Sequence, residues 1–338
     1  MMNTQYLSNI NYKWASRLAT CCALIPNSAF AHVQWFVSTD EMKQVSFVPD
    51  TIYAAITLFV MIFAIAGLLI TKFSGGIVVA GKVLIPRTIY MRYFSTLTIL
   101  FFLLMLIRGG FVAPNINLPT EYLSLGVLLQ SLIVLSATVS IGLSGFFILI
   151  TTVAMVVLIP FAISVNYVFE FVAIGIFMIM TGHHISVFDS KLAAHYKLAT
   201  NKTWHTAVTV LRIGIGLQLV VLAYTEKIAY PGLALVFVEM FPFYNFFPSI
   251  GLAEVTDLHF VWFVGLCELV LGLFLMFGLA SRLTMIMLTF AFVTTAVIHG
   301  AHEIEGHLPI FAAAVILLFE LRTKSPQNFA ARLRPRFS

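Results

Sequence analysis

Charge is what this sequence has least of. Only 10% of its 338 residues are Asp, Glu, Lys or Arg, against 60% hydrophobic, and so little polar surface excludes a water-soluble body of this size. Cysteine is scarce as well. Of the three, Cys21 and Cys22 fall in the first segment and Cys267 stands alone in an apolar stretch, which excludes a disulfide or thiol relay within a processed chain. A nucleotide-binding glycine loop, a nucleophile triad and a haem-attachment motif are all missing, so those enzyme classes have no footing.

Long apolar runs take their place. In lipid the backbone must satisfy its own hydrogen bonds, and runs long enough to cross about 30 Å of hydrocarbon favour helices over the short alternating strands of a barrel. The sequence predicts an all-α polytopic bundle of about nine helices. They run approximately over Thr51–Thr71, Arg92–Val112, Tyr122–Ile141, Gly145–Val165, Tyr167–Thr181, His205–Thr225, His259–Leu279, Leu283–Ile298 and Leu308–Leu321. A tight turn is expected at Ser164 to Tyr167.

The first 31 residues read as a cleavable signal peptide. Lys13 and Arg17 precede a short apolar stretch, and Ala29-Phe30-Ala31 supplies small residues at the cleavage positions. Cleavage would leave His32 as the new amino terminus, opening a short periplasmic segment, residues 32–50. Short cytoplasmic loops are enriched in Lys and Arg. That rule puts Lys72, Arg87, the 184–204 linker, Arg282 and the basic tail, 323–338, inside, and Lys43, Arg108 and Lys227 outside. The expectation is a bacterial inner-membrane protein with its N-terminus periplasmic and its C-terminus cytoplasmic. Topology thus accounts for the formal charge of +5, and the partner expected for the basic tail is anionic lipid, not nucleic acid.

A weak internal echo runs along the chain. Arg92, the helix end near Arg108, and Gln130-Ser131-Leu132 to Gly142 parallel Arg212, Lys227, and Glu268-Leu269-Val270 to Gly278. It suggests two four-helix blocks, 87–183 and 205–322, behind one extra helix at 51–71, with chance similarity between apolar helices as the alternative. In the second block, Leu211-Arg212-Ile213-Gly214-Ile215-Gly216 opens one helix and Lys227 follows its end. Glu268-Leu269-Val270-Leu271-Gly272-Leu273, Gly278-Leu279-Ala280-Ser281-Arg282 and Gly306-His307-Leu308-Pro309 come after. This wording resembles the DoxX/DoxD family of four-helix membrane proteins over residues 205–322. The resemblance implies a small redox-associated subunit, linked to quinone and to a partner redox subunit in some relatives. The first block matches less well, with Gln130 where Glu268 is expected.

Several residues are candidates for chemistry. Glu268 falls near mid-helix, where an ionisable group is costly unless paired or facing a polar cavity. It reads either as a proton acceptor beside quinone, with Arg212 the nearest partner by kind, or as a hydrogen bond gluing helices together. The loop Ala229–Asp257 is too aromatic for free water. It suits an interfacial belt, or a lid closing an apolar pocket with Lys227, Tyr230 and Tyr244 against a quinone ring. Histidine concentrates in His299-Gly300-Ala301-His302-Glu303-Ile304-Glu305-Gly306-His307. Imidazoles and carboxylates bind first-row metals, and His299 and His302 would share a face if the turn were helical. With the terminal amine and ring of His32, the set His32, His299, His302, His307 and Glu303 suits copper. Such terminal histidines resemble those of copper-binding periplasmic domains and copper monooxygenases. The plain alternative is a solvated connector.

Three function classes follow in order: a redox-linked membrane component handling quinone or copper, a non-enzymatic accessory protein that supports a partner complex or delivers metal, and a transporter. The last is disfavoured by a single central carboxylate and no pair of broken helices.

Overall fold

The computed structural model describes residues 33–37, 41–45, 48–73, 86–197 and 200–320, without the side chains of Gln34, Ala301, His302 and Glu320. The expected signal segment, His32 and the basic tail lie outside the described residues.

Twelve α-helices are present among the described residues. They are α1 (Thr51–Phe73), α2 (Arg87–Arg108), α3 (Leu123–Ser136), α4 (Ile141–Leu158), α5 (Phe161–Thr181), α6 (Val187–His195), α7 (Asn201–Ala223), α8 (Gly232–Met240), α9 (Asp257–Phe277), α10 (Ser281–His299), α11 (Ala301–Gly306) and α12 (Leu308–Glu320). A π-turn, Tyr224–Ile228, extends α7. Seven helical segments are long and apolar enough to cross a membrane, and α3 and α12 are shorter apolar helices. Each of the nine expected segments has a helical counterpart, although Gly145–Val165 straddles the break between α4 and α5 and Arg92–Val112 runs past the end of α2. The described residues form a helical bundle with membrane-spanning character.

The ends of the helices sort into two faces. One carries the aromatic loop, the 299–307 turn and Val33–Trp35, and is called the aromatic end. The other carries α6 with Lys72, Arg87 and Arg282, and is called the basic end. The turn between α4 and α5 lies at Ile159–Pro160 rather than at Ser164–Tyr167. Proline disfavours helix at the residue before it, so Ile159 is extended (φ −113°, ψ 141°) and Pro160 stands as the N-cap of α5. The linker at the basic end is not featureless. Ser186 caps α6 by accepting from the Asp189 amide at 3.2 Å, and Asp189 in turn accepts from Ser140 Oγ and from the Gly142 amide at 3.0 Å.

Helices in lipid gain little from hiding apolar area and depend on close packing. Two glycine crossings provide it. A Cβ on Gly145 would stand 2.6 Å from the Gly175 carbonyl, locking α4 to α5, and one on Gly216 would stand 2.7 Å from the Gly272 carbonyl, locking α7 to α9. Between them α5 packs on α7, and α12 packs on α2, so the two halves of the chain touch along both seams. α1 is peripheral and rests mainly on α9.

Candidate functional site

The most unusual feature of the bundle is buried charge. Lys227 Nζ lies 2.9 Å from Glu268 Oε2, with the two side chains only 4% and 3% exposed. Glu268 sits 11 residues into α9, about 16 Å from its aromatic-end terminus at the usual helical rise. Two local devices bring its partner there. The π-turn, closed by the Ala229 amide on the Tyr224 carbonyl at 2.7 Å, buries both Glu226 and Lys227 although they are consecutive, and such bulges often mark functional positions. Gly265 on α9 then leaves a gap, since a Cβ there would meet Lys227 Cβ at 2.9 Å.

Glu226 extends the cluster toward α5. Its Oε1 accepts a long bond from Asn166 Nδ2 at 3.4 Å, Asn166 Oδ1 accepts from Thr225 Oγ1 at 3.2 Å, and no side chain among the described residues donates to Glu226 Oε2. The neighbouring Tyr167 donates to Asn115 Oδ1 at 2.7 Å and accepts from Trp35 Nε1 at 2.9 Å. One turn along α5, Glu170 is also buried. Gln218 of α7 bridges that stretch of α5, donating to the Val165 carbonyl at 3.2 Å and accepting from the Phe169 and Glu170 amides at 3.1 and 3.3 Å. Three buried carboxylates, Glu170, Glu226 and Glu268, thus share the region with one lysine.

Arg212 is elsewhere. Its Nη1 donates to the Leu275 carbonyl and to the Met276 carbonyl at 2.9 Å, closing the C-terminus of α9 about 11 Å further toward the basic end than Glu268. A cation there satisfies orphan carbonyls and the helix dipole. The structure therefore joins Glu268 to Lys227 and leaves Arg212 as a helix cap. Tyr230 is exposed, whereas Tyr244 is fully buried, so the aromatic loop has both an exposed and a packed part.

The histidine turn at the aromatic end is not one helix. Gly300 adopts φ 78°, ψ −152°, which ends α10 at His299 and starts α11 afresh. His299 Nε2 lies 2.6 Å from Tyr244 Oη, with Phe36 and Phe241 rings around it at 4.7 and 4.9 Å. His307 is held separately, between Trp35 and Phe292 at 4.8 and 4.5 Å. Its Nδ1 donates to the Glu303 carbonyl at 2.9 Å, because a carbonyl can only accept, and stands 3.6 Å from Glu303 Oε1. Burial pushes the Glu303 carboxyl up to about 7 and the His307 imidazole down to about 4. It also raises the Tyr244 phenol, helped by the nearby Glu303 charge.

Among the described residues no group of three His, Cys, Asp or Glu side chains could hold a metal ion. Of the five residues read as copper ligands, His299, Glu303 and His307 each have the packed surroundings just given. His32 and the His302 side chain lie outside the described residues. Glu170, Glu226, Asn166, Tyr167, Gln218 and Trp35 are not among the candidates that the sequence singles out for chemistry. The rule that singled out Glu268, an ionisable group inside an apolar span, applies equally to Glu170. Glu226, beside a lysine at the end of an apolar run, looks from sequence like an interfacial residue. Comparison with family models, with curated proteins and with solved structures finds no match to this chain.

Proposed function

We propose that this chain is a redox-associated membrane protein whose Glu226–Lys227–Glu268 centre exchanges a proton for a quinone-class ligand within the bundle. The observation that carries the reading is the unequal count of buried charges, two carboxylates against one lysine on a π-turn. An isolated ion pair needs no further carboxylate, and intramembrane ionisable groups are retained at a standing cost. A centre with one carboxylate in excess has room for one exchangeable proton. It is one of the two that a quinone takes up when a partner redox subunit delivers two electrons, and that the quinol gives back when those electrons are withdrawn. The DoxX resemblance supports the same reading, because Lys227 and Glu268 are among the residues that carry it. An orientation with the aromatic end periplasmic belongs to this proposal, as does a copper site around the 299–307 turn.

The test is the content of protein purified in mild detergent, measured by organic extraction for quinone and elemental analysis for copper. Near-stoichiometric quinone in the wild type, lowered in Glu268→Gln, is the expected result. Quinone that is absent from both, with the Gln variant complementing a deletion strain fully, would leave the Lys227–Glu268 pair as a clamp between the π-turn and α9.

A further inference from the structure

Between α1 and α9 the bundle leaves a lateral groove of about 930 Å³, a size in the range of small-molecule sites. Phe59 and Phe63 of α1, Phe263 and Leu271 of α9, and Met287 of α10 form its walls and floor, and Phe247 belongs to the segment that roofs it. Along α1 it runs from Thr51 to Phe63, about 18 Å, comparable with one leaflet of a bilayer whose hydrocarbon is about 30 Å thick. Water is a poor occupant for such walls. An empty groove of that depth facing lipid would be filled by a chain lying along the bilayer normal.

The mouth of the groove says which head belongs to that chain. Glu254 and Thr51 stand at the aromatic-end rim, and no Lys or Arg is among the described residues that line the groove. Asp50, next to Thr51, caps α1 by accepting from the Ile52 and Tyr53 amides at 2.8 and 3.0 Å, and it meets His259 Nε2 from the bundle side at 3.0 Å. Those backbone bonds, Tyr53 foremost, hold the Asp50 carboxyl below its ordinary range. An anionic headgroup would find the Glu254 carboxylate at the lining, with Asp50 beside the lining residue Thr51 in the chain, and no lysine or arginine among the described lining residues. An ammonium headgroup would find a partner.

We infer that the groove between α1 and α9 is a binding site for one phospholipid with a primary-amine headgroup, its acyl chain lying against Phe263 and Leu271 and its ammonium at Glu254. The inference is independent of the proton-exchange reading, since neither Lys227 nor Glu268 is among the described residues that line the groove.

Native mass spectrometry of the full chain tests it, after detergent delipidation and incubation with mixed micelles of phosphatidylethanolamine or phosphatidylglycerol carrying identical acyl chains. The wild type is expected to retain one phosphatidylethanolamine and to prefer it over phosphatidylglycerol. Ala55→Trp, on the exposed wall of α1, is expected to abolish the retained molecule while leaving the protein monodisperse, and Ala253→Trp at the roof serves if the first variant does not fold. Glu254→Gln is expected to reduce the headgroup preference about two- to fivefold, the effect of a partly exposed ion pair. Equal retention of the two lipids by the wild type, or retention unaffected by both tryptophan variants, would overturn the assignment. So would a co-purified quinone displaced by Ala55→Trp, which would make the groove a quinone site.

Discussion

Gln130 and Glu268 occupy comparable places and solve opposite problems. Each is buried, Gln130 on α3 directly after α2 and Glu268 on α9 after α7 and the short α8, and each reaches back to the chain just after the earlier long helix. Gln130 donates to the Gly110 carbonyl at 3.1 Å and accepts from the Val112 amide at 3.3 Å, holding a turn in which Val112 sits at φ 66°. That conformation is an outlier for a β-branched residue and persists only where its surroundings determine it. A carboxamide has both a donor and an acceptor, so it satisfies main chain on its own. Glu268 can only accept while ionised, and its site therefore needs Lys227, the gap at Gly265 and the π-turn. The neutral site pins a strained loop, whereas the charged site brings in a lysine that must also serve Glu226.

The sharpest way to break the comparison is to remove the cation. Lys227→Met is expected to destabilise the protein by about 3–5 kcal/mol, because it strands buried carboxylates, and Lys227→Met/Glu268→Leu should recover at least about 1 kcal/mol of that. Thermal unfolding in one detergent would show it, and additive losses would mean that the two side chains do not interact.

At the neutral site, Gln130→Leu leaves a buried carbonyl and a buried amide without their partner, at about 1–3 kcal/mol each. The melting shift should be the same at pH 5 and pH 8. A pH-dependent shift would contradict the account of Gln130 as a charge-free clamp.

Glycine provides the next contrast. A Cβ at Gly265 meets the stem of Lys227, while one at Gly126, four residues before Gln130, meets the terminal Leu118 Cδ1 at 2.3 Å and Phe111 at 3.1 Å. A terminal methyl turns aside more easily than a Cβ does, so Gly265→Ala should cost about 1–3 kcal/mol and Gly126→Ala less. Equal melting temperatures for the two variants would count against Gly265 as the port for Lys227.

The smallest effect expected is a tilt with pH at the third buried pair. The raised Glu303 carboxyl contributes stability that is full below about 4.5 and lost as pH rises through about 7. The lowered His307 imidazole contributes stability present above about 6.5 and lost as pH falls through about 4. The two slopes oppose each other in the wild type. Glu303→Gln should leave a protein that weakens from pH 6.5 to 4, and His307→Phe one that weakens from pH 4.5 to 7. Melting curves across that range would reveal the opposite tilts, and parallel curves would remove the pair from the account.

What the sequence by itself determined is the set of spans. Hydrocarbon thickness and backbone hydrogen bonding act on one segment at a time, so a run such as His259–Leu279 can be read without knowing its neighbours. The burial of Glu268 was legible for the same reason, its cost being set by depth. Its partner was not. Arg212 and Lys227 are equally cationic on paper, and the choice between them rests on a wider turn at Tyr224–Ile228, a missing side chain at Gly265 and carbonyls at Leu275 and Met276 that engage Arg212 first. Those are relations between α7 and α9, and only their packing could decide them.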